Sequence, residues 1–146
     1  MPCSFNDLFG RKFVDQLNGV CDLVDSVKDL AKEDKIKLRW TKSTDWNEYG
    51  FYIDGVTTKI NLYFGIWFEA WEAFGTPLFF AVDDSGSDTK VSDRVREYVE
   101  SYNNSYVEYK YFEECSTIVL SKEFLEQEQV EKQIVRVLKD LQMIIK

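Results

Sequence analysis

The sequence predicts an α+β fold: a mainly antiparallel sheet of about six strands, with a long N-terminal helix and a C-terminal helix packed on it. Three observations lead there. Apolar residues recur at helical spacing near both ends of the chain. Between them lie short stretches of alternating polarity joined by turn residues. In the middle, the run INLYFGIWFEAWEAFGTPLFFAVDD (60–84) holds eight of the chain's aromatic residues, too many to leave in water.

At the N-terminus, Ser4 and Asp7 resemble a capping box. Behind them Phe5, Leu8, Phe9, Phe13, Leu17, Val20, Cys21, Val24, Val27 and Ala31 mark an amphipathic helix over about 5–33, weakened at Gly10 and Gly19. In KIKLRWTK, Ile36, Leu38 and Trp40 alternate with Lys35, Lys37, Arg39 and Thr41, the signature of a half-buried strand. Segment 42–48 is a loop. Tyr49–Asp54 and Val56–Phe64 read as a hairpin turning at Asp54-Gly55.

The period then changes. Phe64, Trp67, Phe68, Trp71 and Phe74 have helical spacing, so a short helix is expected over 66–74, with Gly75 at a left-handed C′ position and Pro77 barring continuation. Pro77–Val82 is the next strand, and Asp83–Asp88 a polar loop. Val91, Val95, Tyr98, Val99 and Tyr102 mark a helix over about 90–103. Tyr106–Phe112 and Ser116–Leu120 form a second hairpin through Glu113-Glu114-Cys115. Val130, Ile134, Val137, Leu138, Leu141, Ile144 and Ile145 stripe a final helix over about 125–145. Helices are expected on one face of the sheet, and the 146 residues are read as one domain.

Composition narrows the chemistry. The chain has no histidine, which removes Ser–His and Cys–His activation and most zinc sites. Its net charge of −8 argues against an overall electrostatic grip on nucleic acid or an anionic membrane. Cys3, Cys21 and Cys115 form no CxxC pair and read as reduced structural thiols of a cytoplasmic protein. No signal peptide and no membrane-spanning run are expected, nor any cofactor or bound metal.

Over about 50–84 the chain carries a strand, Gly65-Ile66-Trp67-Phe68, a helix with Trp71, then Gly75-Thr76-Pro77-Leu78 and another strand. This pattern resembles a segment of bacterial PD-(D/E)XK nuclease-like proteins. In that group it lies in an accessory region downstream of the catalytic part. The catalytic part has no counterpart in this sequence, so the resemblance implies an accessory role and supplies no catalytic residues.

Four constellations are candidates for function. Glu108 and Lys110, in an ExK on a predicted strand, could join Asp83 in a carboxylate–metal nuclease site; solvated acids and a cross-strand ion pair are the plainer account. Lys35, Lys37 and Arg39, with Lys42 just beyond and near Trp46, Tyr49 and Tyr52, could grip phosphates and stack bases, or simply face solvent. Tyr102, Tyr106, Tyr109 and Tyr111 suit a protein interface, or a sheet covered on both sides. Trp67, Trp71 and Phe74 could line a pocket, but suit core. The sequence favours a non-catalytic binding or accessory module of a cytoplasmic bacterial or mobile-element protein, with a protein partner expected and nucleic acid a possibility through the basic strand. A carboxylate/metal-dependent nuclease-like enzyme and an acidic inhibitor or decoy are the alternatives.

Overall fold

The computed structural model describes residues 10–40, 48–54, 60–83, 89–102 and 104–145. The capping box at Ser4 and Asp7, Cys3, the loop carrying Trp46, and the acidic segment from Asp84 lie outside the described residues.

Helix α1 spans Gly10–Glu33. Its apolar stripe buries Val24, Val27 and Ala31 completely. It ends in a Schellman motif: the Ile36 N–H donates to the Ala31 carbonyl, and the Lys35 N–H to the Lys32 carbonyl, both at 3.0 Å. Lys35 therefore takes the left-handed C′ position, with φ of 62°. Burial of Ile36 just beyond it holds the motif closed.

The sheet has six strands in the order β1-β2-β3-β4-β6-β5, every neighbouring pair antiparallel. The strands are β1 (Leu38–Trp40), β2 (Glu48–Ile53), β3 (Asn61–Trp67), β4 (Leu78–Asp83), β5 (Val107–Phe112) and β6 (Cys115–Leu120). Helix α2 (Phe68–Phe74) joins β3 to β4, and α3 (Thr89–Ser101) carries the chain past the place of β6 to the far edge. The short α4 (Lys122–Leu125) and the longer α5 (Val130–Ile145) follow β6. The expected α+β architecture is present.

The central strands β3 and β4 are buried along almost their whole length, so both faces of the sheet must be covered. On one face Phe51, Phe64 and Phe80 stand in a single row across three strands, with ring centroids 5.7 and 5.0 Å apart. Against this face pack α1, α3 and α5. Tyr98 Oη donates to Asp140 Oδ2 at 2.7 Å, and Arg94 to the Ile144 carbonyl at 3.1 Å, tying α3 to α5. The opposite face gathers Tyr63, Trp67, Phe79, Ala81 and Val119 beneath Ala70, Trp71 and Phe74 of α2. Phe112 closes this second cluster edge-on to Trp67 and Phe74. Helices thus cover both faces rather than the single face expected, because α2 turns over the end of the sheet onto the aromatic side. Gly75 ends α2 at φ of 80°, its N–H donating to the Trp71 carbonyl, as its position before Pro77 predicts.

The first hairpin departs from expectation. Its register pairs Ile53 with Leu62 and Phe51 with Phe64, so the connection is longer than a two-residue Asp54-Gly55 turn. A tight turn there would set Phe51 against Thr58. The observed register instead puts apolar residue against apolar residue on the helix-covered face. It also sets Gly50 opposite Gly65, and the Tyr63 hydroxyl lies over that pair, donating to the Ile66 carbonyl at 2.6 Å. A Cβ on Gly50 would strike the Phe64 carbonyl, and one on Gly65 the Tyr49 carbonyl; each would also meet the Tyr63 hydroxyl. Gly65 in addition has φ of +154°, which side chains rarely adopt. In the second hairpin Cys115 belongs to β6, leaving Glu113-Glu114 as a two-residue loop with both residues at positive φ, the backbone of a type I′ turn.

Two stability outcomes follow from this backbone. Gly50→Ala and Gly65→Ala are each expected to destabilise the fold by about 3 kcal/mol, read from chemical denaturation midpoints. Replacing Glu113-Glu114 by Asn-Gly is expected to stabilise by roughly 1–2 kcal/mol, because glutamate is strained in the left-handed region and Asn-Gly suits it. A neutral or destabilising result would rule out the I′ turn.

Candidate functional site

The basic stripe does not assemble as the alternation predicts. Lys35 belongs to the end of α1, and only Arg39 of the three cations lies within β1. Lys35 and Lys37 are exposed. Arg39 stands 3.3 Å from Asp54 and stacks over the Tyr52 ring at 4.8 Å, so its charge has a carboxylate and an aromatic face to satisfy it. Tyr49 is not its neighbour. It points to the side covered by α1, α3 and α5, where its hydroxyl donates to Asp25 of α1 at 3.0 Å. Period two along β2 separates Tyr49 from Tyr52, and the sequence alternation of β1 gave no information on which of them shares a face with Arg39.

The acidic trio is also dispersed. Glu108 and Lys110 do share a face, the α2 side, and form an ion pair at 3.0 Å. Asp83, however, pairs with Cys115 while Glu108 pairs with Val119. The two acids are two strands apart and four positions apart along the strands, about 16 Å between Cα atoms. Among the described residues no group of three His, Cys, Asp or Glu side chains is placed to hold a metal ion. The arrangement needed for a metal bridged by Asp83 and Glu108 is not formed.

The tyrosines divide. Tyr102 and Tyr106 pack on Phe124 of α4, with centroids 6.4 and 6.2 Å away, and Tyr98 packs in turn on Tyr102 at 6.1 Å. Ser121 fixes this corner by capping α4 at Phe124 and donating to the Ser105 carbonyl. Tyr109 lies under Arg96 at 5.1 Å, and its hydroxyl meets Ser116, which also meets Ser92 of α3. These rings are half-buried structural members. Tyr111 alone among the four candidates is largely exposed, at 56%.

Tyr111 lies on β5, the last strand of the sheet. With Phe112 and Cys115 flanking a two-residue turn, Phe112, Lys110 and Glu108 direct their backbone groups to β6. The Ser121 N–H donating to the Tyr106 carbonyl at 2.9 Å fixes the same parity at the other end. Val107, Tyr109 and Tyr111 therefore direct theirs outward. The opposite edge, β1, has only three residues. The six-residue β5 is the longer edge, contains no proline, and carries Glu108 and Lys110 already paired with each other.

A cleft of about 340 Å³ lies between α1, α4 and the α2–β4 connection. Gly19, Leu23, Pro77 and Leu125 line it, and at its rim Lys122 stands 3.8 Å from Glu126. Thr76 Oγ1, shielded from solvent, has no hydrogen-bond partner among the described residues. No family model, curated protein or solved structure matches this chain.

No described helix is long and apolar enough to cross a membrane. Cys21 shows no activation: burial, and then Asp25 and Asp22, push its thiol up. Burial also raises the hydroxyls of Tyr49, Tyr63 and Tyr98. That of Tyr49 is pushed up to about 12 by burial and then by its bond to Asp25. Tyr63, raised by burial, and Tyr98, raised by burial and then Asp140, shift the same way. The folded state holds these protons above the ordinary value of 10, so their stabilisation is complete below pH 10 and is lost as pH rises towards 12. Cooperative unfolding in that window is expected, measured by ultraviolet tyrosine absorbance and circular dichroism together. Tyr49→Phe and Tyr98→Phe should each make the decline shallower. Tyrosine ionisation complete near pH 10 with the fold intact would contradict it.

Proposed function

We propose that this chain is a non-catalytic protein-binding module, and that its docking element is the outer edge of β5. The observation that carries the reading is the edge itself: six residues, outward backbone groups at Val107, Tyr109 and Tyr111, and an exposed Tyr111 ring beside them. A strand edge of this kind binds an extended segment by main-chain hydrogen bonds, with side chains on both faces reading its sequence. The internal Glu108–Lys110 pair leaves the edge without a net charge to repel a strand.

The accessory role fits the resemblance of residues 50–84 to the accessory region of nuclease-like proteins. The nucleic-acid version has less support, since Arg39 is engaged by Asp54 and Tyr52. The nuclease version would need Asp83 and Glu108 at one ion, which the strand order opposes. A decoy would need striped acid; here acids are paired with bases in Asp34–Lys139, Asp93–Arg96 and Lys122–Glu126.

Capture from native lysate tests the proposal. A partner is expected to survive nuclease treatment and to be lost with Tyr111→Pro, which removes an outward N–H at an exposed position that tolerates proline. Capture abolished by nuclease, or indifferent to Tyr111→Pro, would overturn the β5 reading.

A further inference from the structure

Edge strands that can receive a foreign strand can also receive their own kind, and the sequence of β5 is self-complementary in one register. We infer that β5 pairs with β5 of a second copy of this chain, antiparallel and about a two-fold axis through Tyr109, joining the two sheets into one. The inference rests on β5 being the docking edge and names its occupant.

The register follows from backbone parity and then from charge. Two antiparallel strands can share hydrogen bonds only where both turn their N–H and C=O groups towards each other. On β5 those residues are Val107, Tyr109 and Tyr111, so a symmetric pairing must set odd positions against odd positions. Centring the axis on Tyr109 uses all three: Tyr109 faces Tyr109 of the second copy, and Val107 faces its Tyr111. The even positions then fall in the closely spaced pairs. There Glu108 faces Lys110 of the second copy, and Lys110 faces its Glu108, both on the α2 side of the sheet. Two opposite-charge pairs arise from one dipeptide spacing, and the exposed Tyr111 ring comes to lie beside Val107. Shifting the axis to Tyr111 or to Val107 keeps the backbone parity but breaks the Glu108–Lys110 match. The contact is isologous and closes at two copies, because each chain offers one β5 edge.

Charge reversal separates this arrangement from any other. Glu108→Lys places two lysines opposite two lysines across the axis, and Lys110→Glu places glutamates opposite glutamates. Both side chains are exposed, at 63% and 43%, so the fold is expected to persist, as circular dichroism can verify. In sedimentation velocity over a concentration series, the native chain should dimerise. Each single variant should dimerise about tenfold more weakly or worse. An equimolar mixture of the two variants should recover the native affinity, since lysines then face glutamates at both pairs. The double variant Glu108→Lys/Lys110→Glu should recover it alone. A native chain that stays monomeric at its highest soluble concentration overturns the inference. So do single variants that associate as the native chain does, and so does a mixture that fails to recover. The docking reading fails separately, when capture of a protein partner is indifferent to Tyr111→Pro.

Discussion

Where β2 and β3 cross Gly50 and Gly65, two backbones run closer than any side chain would allow, and the Tyr63 hydroxyl fills the space above them. Most of the architecture is fixed by that contact. It excludes the neighbouring registers, since shifting one strand by a residue would bring a Cβ onto a carbonyl. Once Gly50 faces Gly65, Phe51 must face Phe64, and the row continues to Phe80 and Ile118 through the pairing of β3, β4 and β6. The same choice sets Tyr52 beside Tyr63 and so places Arg39 on an aromatic face.

Two-sided burial of β3 and β4 then determines what surrounds them. A strand hidden on both faces needs a layer on each, and the layers differ in kind. On one side three helices supply aliphatic stripes, which pack as an ordinary core. On the other a seven-residue helix is too short to cover six strands, and aromatic side chains extend its reach: Trp67, Phe74, Phe79 and Phe112 touch one another across the sheet. The cover gives out at the margins. Arg39 at one end and Glu108 and Lys110 at the other are polar because that part of the face is wet.

The sequence made the elements legible because burial writes a period into them. The stripes of α1, α3 and α5, the short helix ended by Gly75 and Pro77, and five of the six strands lie within a few residues of where spacing puts them; β3 begins at Asn61, five residues later than expected. Register was not legible. Asp54-Gly55 is a strong local turn signal, but the glycine pair and the apolar rows outweigh it, and those act between residues far apart in the chain. The face occupied by Tyr49 was hidden for the same reason. Lys35 read as a strand residue because nothing local distinguishes it from a helix terminus that lacks glycine; the signal was the apolar Ile36 after it. The edge position of β5 was unreadable in principle, since strand order depends on where α3 carries the chain. The basic stripe and the acidic trio therefore looked more compact in sequence than they are in space.

The ties between α3 and the last turns of α5 bear on how the molecule comes into being. Arg94 reaches the Ile144 carbonyl, Tyr98 reaches Asp140, and Lys139 reaches back to Asp34 beyond the end of α1. The partners are separated by tens of residues, and in every case the later one belongs to α5. During synthesis, the sheet from β1 to β4 can form as a meander soon after it emerges, because its pairings are local. Of the three helices on its Phe51, Phe64 and Phe80 face, only α1 precedes the sheet; α3 and α5 are made after β4. A nascent chain that has finished the meander therefore has α1 alone to cover its aromatic ladder, and the part that α3 and α5 will hide is the surface a chaperone would bind.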